Sequence, residues 1–168
     1  FVLIFHALIT YGSILSFVRL NPFIFFKKLR EVLLFAFSTS SSSATMPLTL
    51  KTVQEKFGVD KSVASFCIPL GATINMDGTA IMQGWATFFL ASLYGIDLGI
   101  AEILTIVITA TIASIGTAGI PSAGIIMLTV IFTQIGIPLE GITLLLGVDR
   151  LLDMMRTSVN VSGDLCIS

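Results

Sequence analysis

Residues 100–136 read IAEILTIVITATIASIGTAGIPSAGIIMLTVIFTQIG. Two apolar arms flank a small-residue tip, Ser114-Ile115-Gly116-Thr117-Ala118-Gly119-Ile120-Pro121. Each arm is about 15 residues long, whereas a helix needs about 20 to cross a bilayer. A second segment, residues 22–57, has the same plan, with two arms around Ser40-Ser41-Ser42-Ser43-Ala44-Thr45-Met46-Pro47. Alone, a serine-rich run reads as a linker and Gly-Thr-Ala-Gly as close helix packing. Two tips of matching character, each followed by Pro and each between short arms, read as re-entrant hairpins. Irregular backbone at membrane depth is tolerated only where protein or a water-filled cavity surrounds it.

Composition agrees with an apolar surround. Of the 168 residues, 55% are apolar and only 11% charged, and the mean hydropathy is +1.00. A soluble domain carries about 25% charged residues, so this chain could not cover a wetted globule. With a net charge of −1 and no basic stripe, nucleic acid is not an expected partner. Cys67 and Cys166 have neither metal nor redox spacing and read as packing residues. The chain opens at Phe1 inside an apolar run and closes at Cys166-Ile167-Ser168. The reading expects it to be part of a longer protein.

The charges orient the chain. Arg19, Lys27, Lys28, Arg30, Lys51, Lys56 and Lys61 cluster early, and no Lys or Arg lies between Ser62 and Asp149. Only the acids Asp97, Glu102 and Glu140 mark the turns there. Positive residues favour the cytoplasmic side, which places Arg19–Lys61 inside and the turns near Asp97 and Glu140 outside. The two hairpins then enter from opposite faces. Phe1–Val18 reads as the end of a helix running inward. Ser62–Tyr94 reads as a span broken near Asn75-Met76-Asp77-Gly78, and Gly141–Ser168 as the most polar helix. Inverted hairpins beside broken helices point to the binding site of a secondary transporter.

Asp149, Asp153, Arg156, Asn160 and Asp164 recur at spacings of 4, 3, 4 and 4. At about 100° per residue they fall within roughly 80° of one another. Each charge at a bilayer centre costs roughly 2.5–3.5 kcal/mol on insertion scales, so this face is a functional-site candidate. The bland alternative is a self-neutralising Asp153–Arg156 pair, which leaves Asp149, Asn160 and Asp164 unexplained. Arg156 offers a planar fork for a carboxylate, and Asp153 suits an ammonium. An acidic amino acid satisfies both, whereas a C4 dicarboxylate sets a second negative charge against Asp153. Asp77 and Asp164 have no basic partner nearby in sequence. Such carboxylates become neutral or bind a cation, and unwound backbone carbonyls at a helix break suit Na⁺.

These motifs resemble the dicarboxylate/amino acid:cation symporters. The matching stretches are Ser41–Pro47, Pro69–Thr79 (PLGATINMDGT), Ala113–Gly124 and Asp149–Asp164. The resemblance implies the C-terminal half of a sodium-coupled glutamate/aspartate transporter. Its parts would be the end of a sixth transmembrane helix (1–21), hairpin 1 with a cytoplasmic loop (22–61), a broken seventh helix (62–99), hairpin 2 as outer gate (100–138) and a truncated eighth helix (139–168). By similarity, Arg156 would hold the side-chain carboxylate and Asp153 the amino group. Thr157, Asn160 and Thr79 would complete the pocket, with Ser42 and the backbone of Gly119, Ile120 and Gly124 closing over the ligand. One Na⁺ would sit on Asp164 with carbonyls of Gly71, Asn75 and Asn160. A second would use Thr73, Ser114, Ile115 and Thr117, and a third Asp77 with Asn75. The implied protein is a multi-pass homotrimer of the plasma or inner membrane that works as an elevator. Ser40 and Met154 stand where some relatives carry Arg, which leaves potassium counter-transport open, while retained Asp77 and Asp164 favour sodium over protons.

The expected fold class is therefore an all-α polytopic membrane protein with two re-entrant hairpins and discontinuous helices. The expected activity is uptake of aspartate or glutamate, with Na⁺ as coupling ion, no other cofactor, and no enzymatic reaction. C4-dicarboxylate transport is the alternative within the class. An intramembrane aspartyl protease built on Asp77 and Asp164 is the remote rival, which explains neither Arg156 nor the hairpins.

Overall fold

A computed structural model describes residues 1–168. The chain is all helix. Helix α1 (Val2–His6), a π-helical turn (Ala7–Tyr11) and α2 (Gly12–Phe17) form one run. Then follow α3 (Pro22–Thr39), α4 (Ser42–Phe57), α5 (Lys61–Ile74), α6 (Asp77–Leu93), α7 (Ile100–Ile115), α8 (Ala123–Ile135) and α9 (Gly141–Ile167).

Local chemistry sets these boundaries. Asn21 caps α3, its Oδ1 accepting from the amides of Phe23 and Ile24 at 2.9 and 3.3 Å, with Pro22 at the first helical position, where its missing N–H costs nothing. The turn to α4 is only two residues long. Ser40 takes a left-handed φ of 51°, and the Ser41 hydroxyl then accepts from the Ala44 amide at 3.1 Å, a serine N-cap. Ser42–Pro47 are thus helical, although the sequence reading placed them in the tip. The second tip is a longer loop, residues 116–122, between α7 and α8. Asp60 caps α5, and hydrogen bonds from the Ser62 hydroxyl and backbone amide hold its carboxyl below the usual carboxylate range.

The expected helix break stands at Asn75–Met76, between α5 and α6. Pro69 inside α5 cannot donate to the Ser65 carbonyl, which loosens the turn before the break. The Asn75 amide bonds back to the Gly71 carbonyl at 2.8 Å and that of Met76 to the Ile74 carbonyl at 3.1 Å. No hydrogen bond ends on the carbonyls of Ala72 and Thr73.

Two apolar clusters hold the elements. Met82, Ala86 and Leu90 of α6 pack with Ile106 of α7, Leu128 and Phe132 of α8, and Leu145 of α9. Leu15, Phe25, Leu29 and Val32 pack with Val53, Ala64 and Ile68, and with Val161 and Leu165 of α9. Helix α9 enters one cluster near its start and the other near its end, and its polar face lies along the stretch that joins them. The outward surface stays apolar, with Phe17, Phe23, Phe66, Ile100, Ile112 and Ile126 exposed, more than a water-facing monomer carries. No helix is long and apolar enough to cross a membrane. Helix α9 has the length but carries Asp149, Arg150, Asp153, Arg156 and Asp164, while α5 and α6 divide one apolar stretch at the break.

Candidate functional site

The five polar positions of α9 face inward together. Asp153 is 0% and Arg156 3% exposed. Arg156 Nη2 donates to Asp153 Oδ1 across one turn. The other oxygen, Asp153 Oδ2, accepts from the Ser122 backbone amide at 2.7 Å. Asp149 Oδ2 accepts from the Ser122 hydroxyl at 2.9 Å. Arg156 Nη1 is buried with no hydrogen-bond partner. An unsatisfied buried donor costs about 1–3 kcal/mol, more when charged. The guanidinium is aimed at Gly124, where a Cβ would collide with it.

The other polar group at the centre, Asn160, is committed to the start of α6. Its Oδ1 accepts from the Gly78 amide at 2.8 Å, and its Nδ2 donates to Thr79 Oγ1 at 3.0 Å. Gly78 itself lies against α9, since a Cβ there would sit 2.8 Å from the Arg156 carbonyl oxygen. The two hairpin tips meet over this point. The Gly119 carbonyl accepts from the Ser41 hydroxyl at 2.7 Å and from the Ser43 amide at 3.1 Å.

Beneath the tips lies a cavity of about 10 Å³. It is lined by Ser42 from α4, Thr79 from α6, Gly119 and Ile120 from the loop, and Asp153, Arg156, Thr157 and Asn160 from α9. The structure therefore gathers every residue singled out for substrate, with Gly124 at the edge against Arg156. Ser40, Met76, Thr117 and Ala118 also line it. The space holds about one water, so anything larger would enter only after the tips part.

Asp164 is 2% exposed, and its Oδ1 accepts from Asn75 Nδ2 at 3.0 Å. Gly71 presses against the same carboxylate, a Cβ there falling 2.7 Å from Oδ1. Asp77 has the basic partner that the sequence did not reveal. His6 Nε2 lies 2.9 Å from its Oδ2, and the Tyr11 hydroxyl donates to the same oxygen at 2.8 Å. Ser114 and Ile115 line an open cavity of about 350 Å³ together with Asn75 and Asp77. Of the set Thr73, Ser114, Ile115 and Thr117, Thr117 lines the cavity under the tips and Thr73 lines neither cavity.

A model of the sodium:dicarboxylate symporter family matches residues 1–168. The chain belongs to that family. It is similar to excitatory amino acid transporter 1 of Rattus norvegicus and of Homo sapiens, 47% identical to each over 163 residues, 96% of this chain and 30% of each relative. It is also similar to excitatory amino acid transporter 3 of Mus musculus, 51% identical over 147 residues, 88% of this chain and 28% of that one. The chain thus spans about 30% of the length of these relatives. A symporter family leaves no place for the proteolytic reading, and Asp77 and Asp164 share no hydrogen bond with which to hold a proton between them.

The donors at the break suit the sodium in the family's description. No three His, Cys, Asp or Glu side chains gather into a metal cluster, so a cation here would depend on backbone oxygens beside a single carboxylate. The carbonyls of Ala72 and Thr73 are unbonded backbone oxygens, at a helix C-terminus whose partial charge is negative. Sequence reasoning missed three further groups in this polar core. His6 and Tyr11 sit at and within a π-helical turn, which often marks function, but on a helix with no polar period. Gln83 is fully buried and donates from Nε2 to the Gly124 carbonyl at 3.2 Å, steadying the backbone on which Arg156 rests. Replacing Gly124 by Ala should push the guanidinium off its position while sparing the fold. A hydrogen bond to a charged group contributes about 1.5–3 kcal/mol, so if Arg156 holds a ligand in the full-length protein, the expected result is binding weaker by about 10- to 100-fold, measured by calorimetry, with the fold retained in a thermal melt.

Proposed function

We propose that the full-length protein is a sodium-coupled symporter that takes up acidic amino acids. The observation that carries this reading is the buried Arg156–Asp153 pair. It has one unpartnered guanidinium nitrogen on one side and a carboxylate on the other. The free Nη1 suits a distal carboxylate, and Asp153 suits an ammonium, so a zwitterion with a second acid group matches both. The names of the similar transporters support the same substrate class. Thr79, Thr157 and Asn160, with Ser42 and the Gly119–Gly124 backbone, would enclose the ligand.

Sodium would bind at Asp164 with carbonyls of Gly71, Asn75 and Asn160, at carbonyls of Thr73, Ser114, Ile115 and Thr117, and at Asp77 with Asn75. It would supply the positive charge that lets buried carboxylates stay ionised. The α3–α4 and α7–α8 pairs would be the two re-entrant hairpins, the second serving as outer gate, in a homotrimeric elevator of the plasma or inner membrane. The exposed apolar faces suit lipid.

The test is uptake by the full-length protein in proteoliposomes under an inward Na⁺ gradient. L-aspartate and L-glutamate should accumulate, and collapsing the gradient should stop them. Accumulation driven equally by a proton gradient alone, or equal competition by succinate, would favour the dicarboxylate alternative and overturn the reading.

A further inference from the structure

We infer that Ser122 is the latch of the second hairpin, holding its tip closed on α9 through Asp149 as well as Asp153. The inference rests on the reading of the α7–α8 loop as a gate, and it assigns the closure to a residue and a partner. Ser122 is the last residue of the loop before α8, with a left-handed φ of 60°. That conformation is strained for a residue with a side chain, so other contacts must hold it. Two do: the hydroxyl donates to Asp149 Oδ2 at 2.9 Å and the backbone amide to Asp153 Oδ2 at 2.7 Å. Both acceptors are carboxylates one turn apart on α9, and both are nearly fully buried.

This gives Asp149 an occupation that neither the Arg156 pair nor the cation sites supply. Asp149 is absent from the lining of the cavity under the tips, yet it is as buried as the residues that form it. Its one hydrogen bond goes to the loop. The consequence is a division of labour on one helix face. Asp153 meets the ligand and the loop amide together, so a ligand ammonium and the latch share a carboxylate. Asp149 meets the loop alone and adds a fixed bias toward closure. The cavity is too small for an amino acid until the tips part, so opening must break the Ser122 hydroxyl bond.

The test reads hinge opening without any ligand, by hydrogen exchange of the peptide spanning residues 113–127 in the full-length protein. Ser122→Gly removes the hydroxyl and relaxes φ, Ser122→Ala removes the hydroxyl and keeps the strain, and Asp149→Ala removes the acceptor from a different helix. Losing one hydrogen bond to a carboxylate should raise exchange in the loop by about tenfold, ~1.4 kcal/mol, in all three variants. Ser122→Gly combined with Asp149→Ala should exchange no faster than the faster single variant, because both remove one bond. Unchanged exchange in Ser122→Gly and Asp149→Ala, or additive increases in the double variant, would overturn the latch. Failure of Na⁺-driven uptake would overturn the transport reading instead, and leaves the exchange result standing on its own.

Discussion

Arg156→Ala in the full-length protein is expected to abolish saturable uptake of L-aspartate and L-glutamate. The guanidinium is the one buried cation in the cavity, its Nη2 already bonded to Asp153 and its Nη1 free. Removing it deletes the group proposed for the distal carboxylate and strands Asp153 as an uncompensated buried charge. Hydrogen bonds to charged groups contribute about 1.5–3 kcal/mol each, so losing the one that the free Nη1 would make is at least about tenfold in affinity, before the cost of the stranded Asp153. Breaking a buried pair by removing one partner costs about 3–5 kcal/mol of stability, so the melting temperature should fall as well. Arg156→Lys separates the two effects. It keeps a positive charge for Asp153 but loses the planar fork, and is expected to fold while binding at least about tenfold more weakly. Radiolabelled uptake and a thermal melt on both variants check the assignment. Unimpaired uptake in Arg156→Ala would remove Arg156 from the site.

Asp164→Asn should move the sodium dependence rather than the substrate affinity. The amide keeps an oxygen that can accept from Asn75, now at 3.0 Å, and nearly the same volume against Gly71. What it loses is the negative charge that lies against Gly71 in the last turn of α5. Two charges about 4 Å apart at an effective dielectric near 20 interact by about 4 kcal/mol, of which desolvation cancels much. A rise of at least about tenfold, ~1.4 kcal/mol, in the Na⁺ concentration for half-maximal uptake is the expected result. Aspartate affinity at saturating Na⁺ should change little. A Na⁺ titration of uptake checks this, and an unshifted midpoint would place the coupling ion elsewhere.

The sequence made α9 legible because burial is periodic there. Charges at helical spacing in an apolar chain can only face one way, and Asp149 through Asp164 are indeed all buried on one side. The break at Asn75–Met76 was legible too, as a polar interruption of an apolar run. The first tip was harder to read. A serine run says "not a membrane helix", yet Ser41 turns it into a helix start by capping Ala44, and Ser42–Pro47 become part of α4. The partners of Asp77 were beyond reach, since His6 and Tyr11 lie 71 and 66 positions away on a run whose pattern is plainly apolar. Ser122 lies inside the matching stretch Ala113–Gly124, but nothing in that pattern gives it a role of its own. Its role comes from a left-handed backbone angle and two carboxylates that meet it only after folding. Asn160, expected at the substrate, has its side chain engaged by Gly78 and Thr79, so its contribution begins with the geometry of the break.

The central claim is that the buried Arg156–Asp153 pair reads both an acid and an amine, with sodium required. The most direct measurement is calorimetric binding to the full-length protein of L-aspartate and of succinate, each in Na⁺ and in choline. The account predicts L-aspartate binding in Na⁺ that weakens at least about tenfold in choline, and succinate binding at least about tenfold weaker than L-aspartate, since each lost charge contact exceeds ~1.4 kcal/mol. Equal affinities for the two ligands, or binding of L-aspartate that ignores Na⁺, would contradict it.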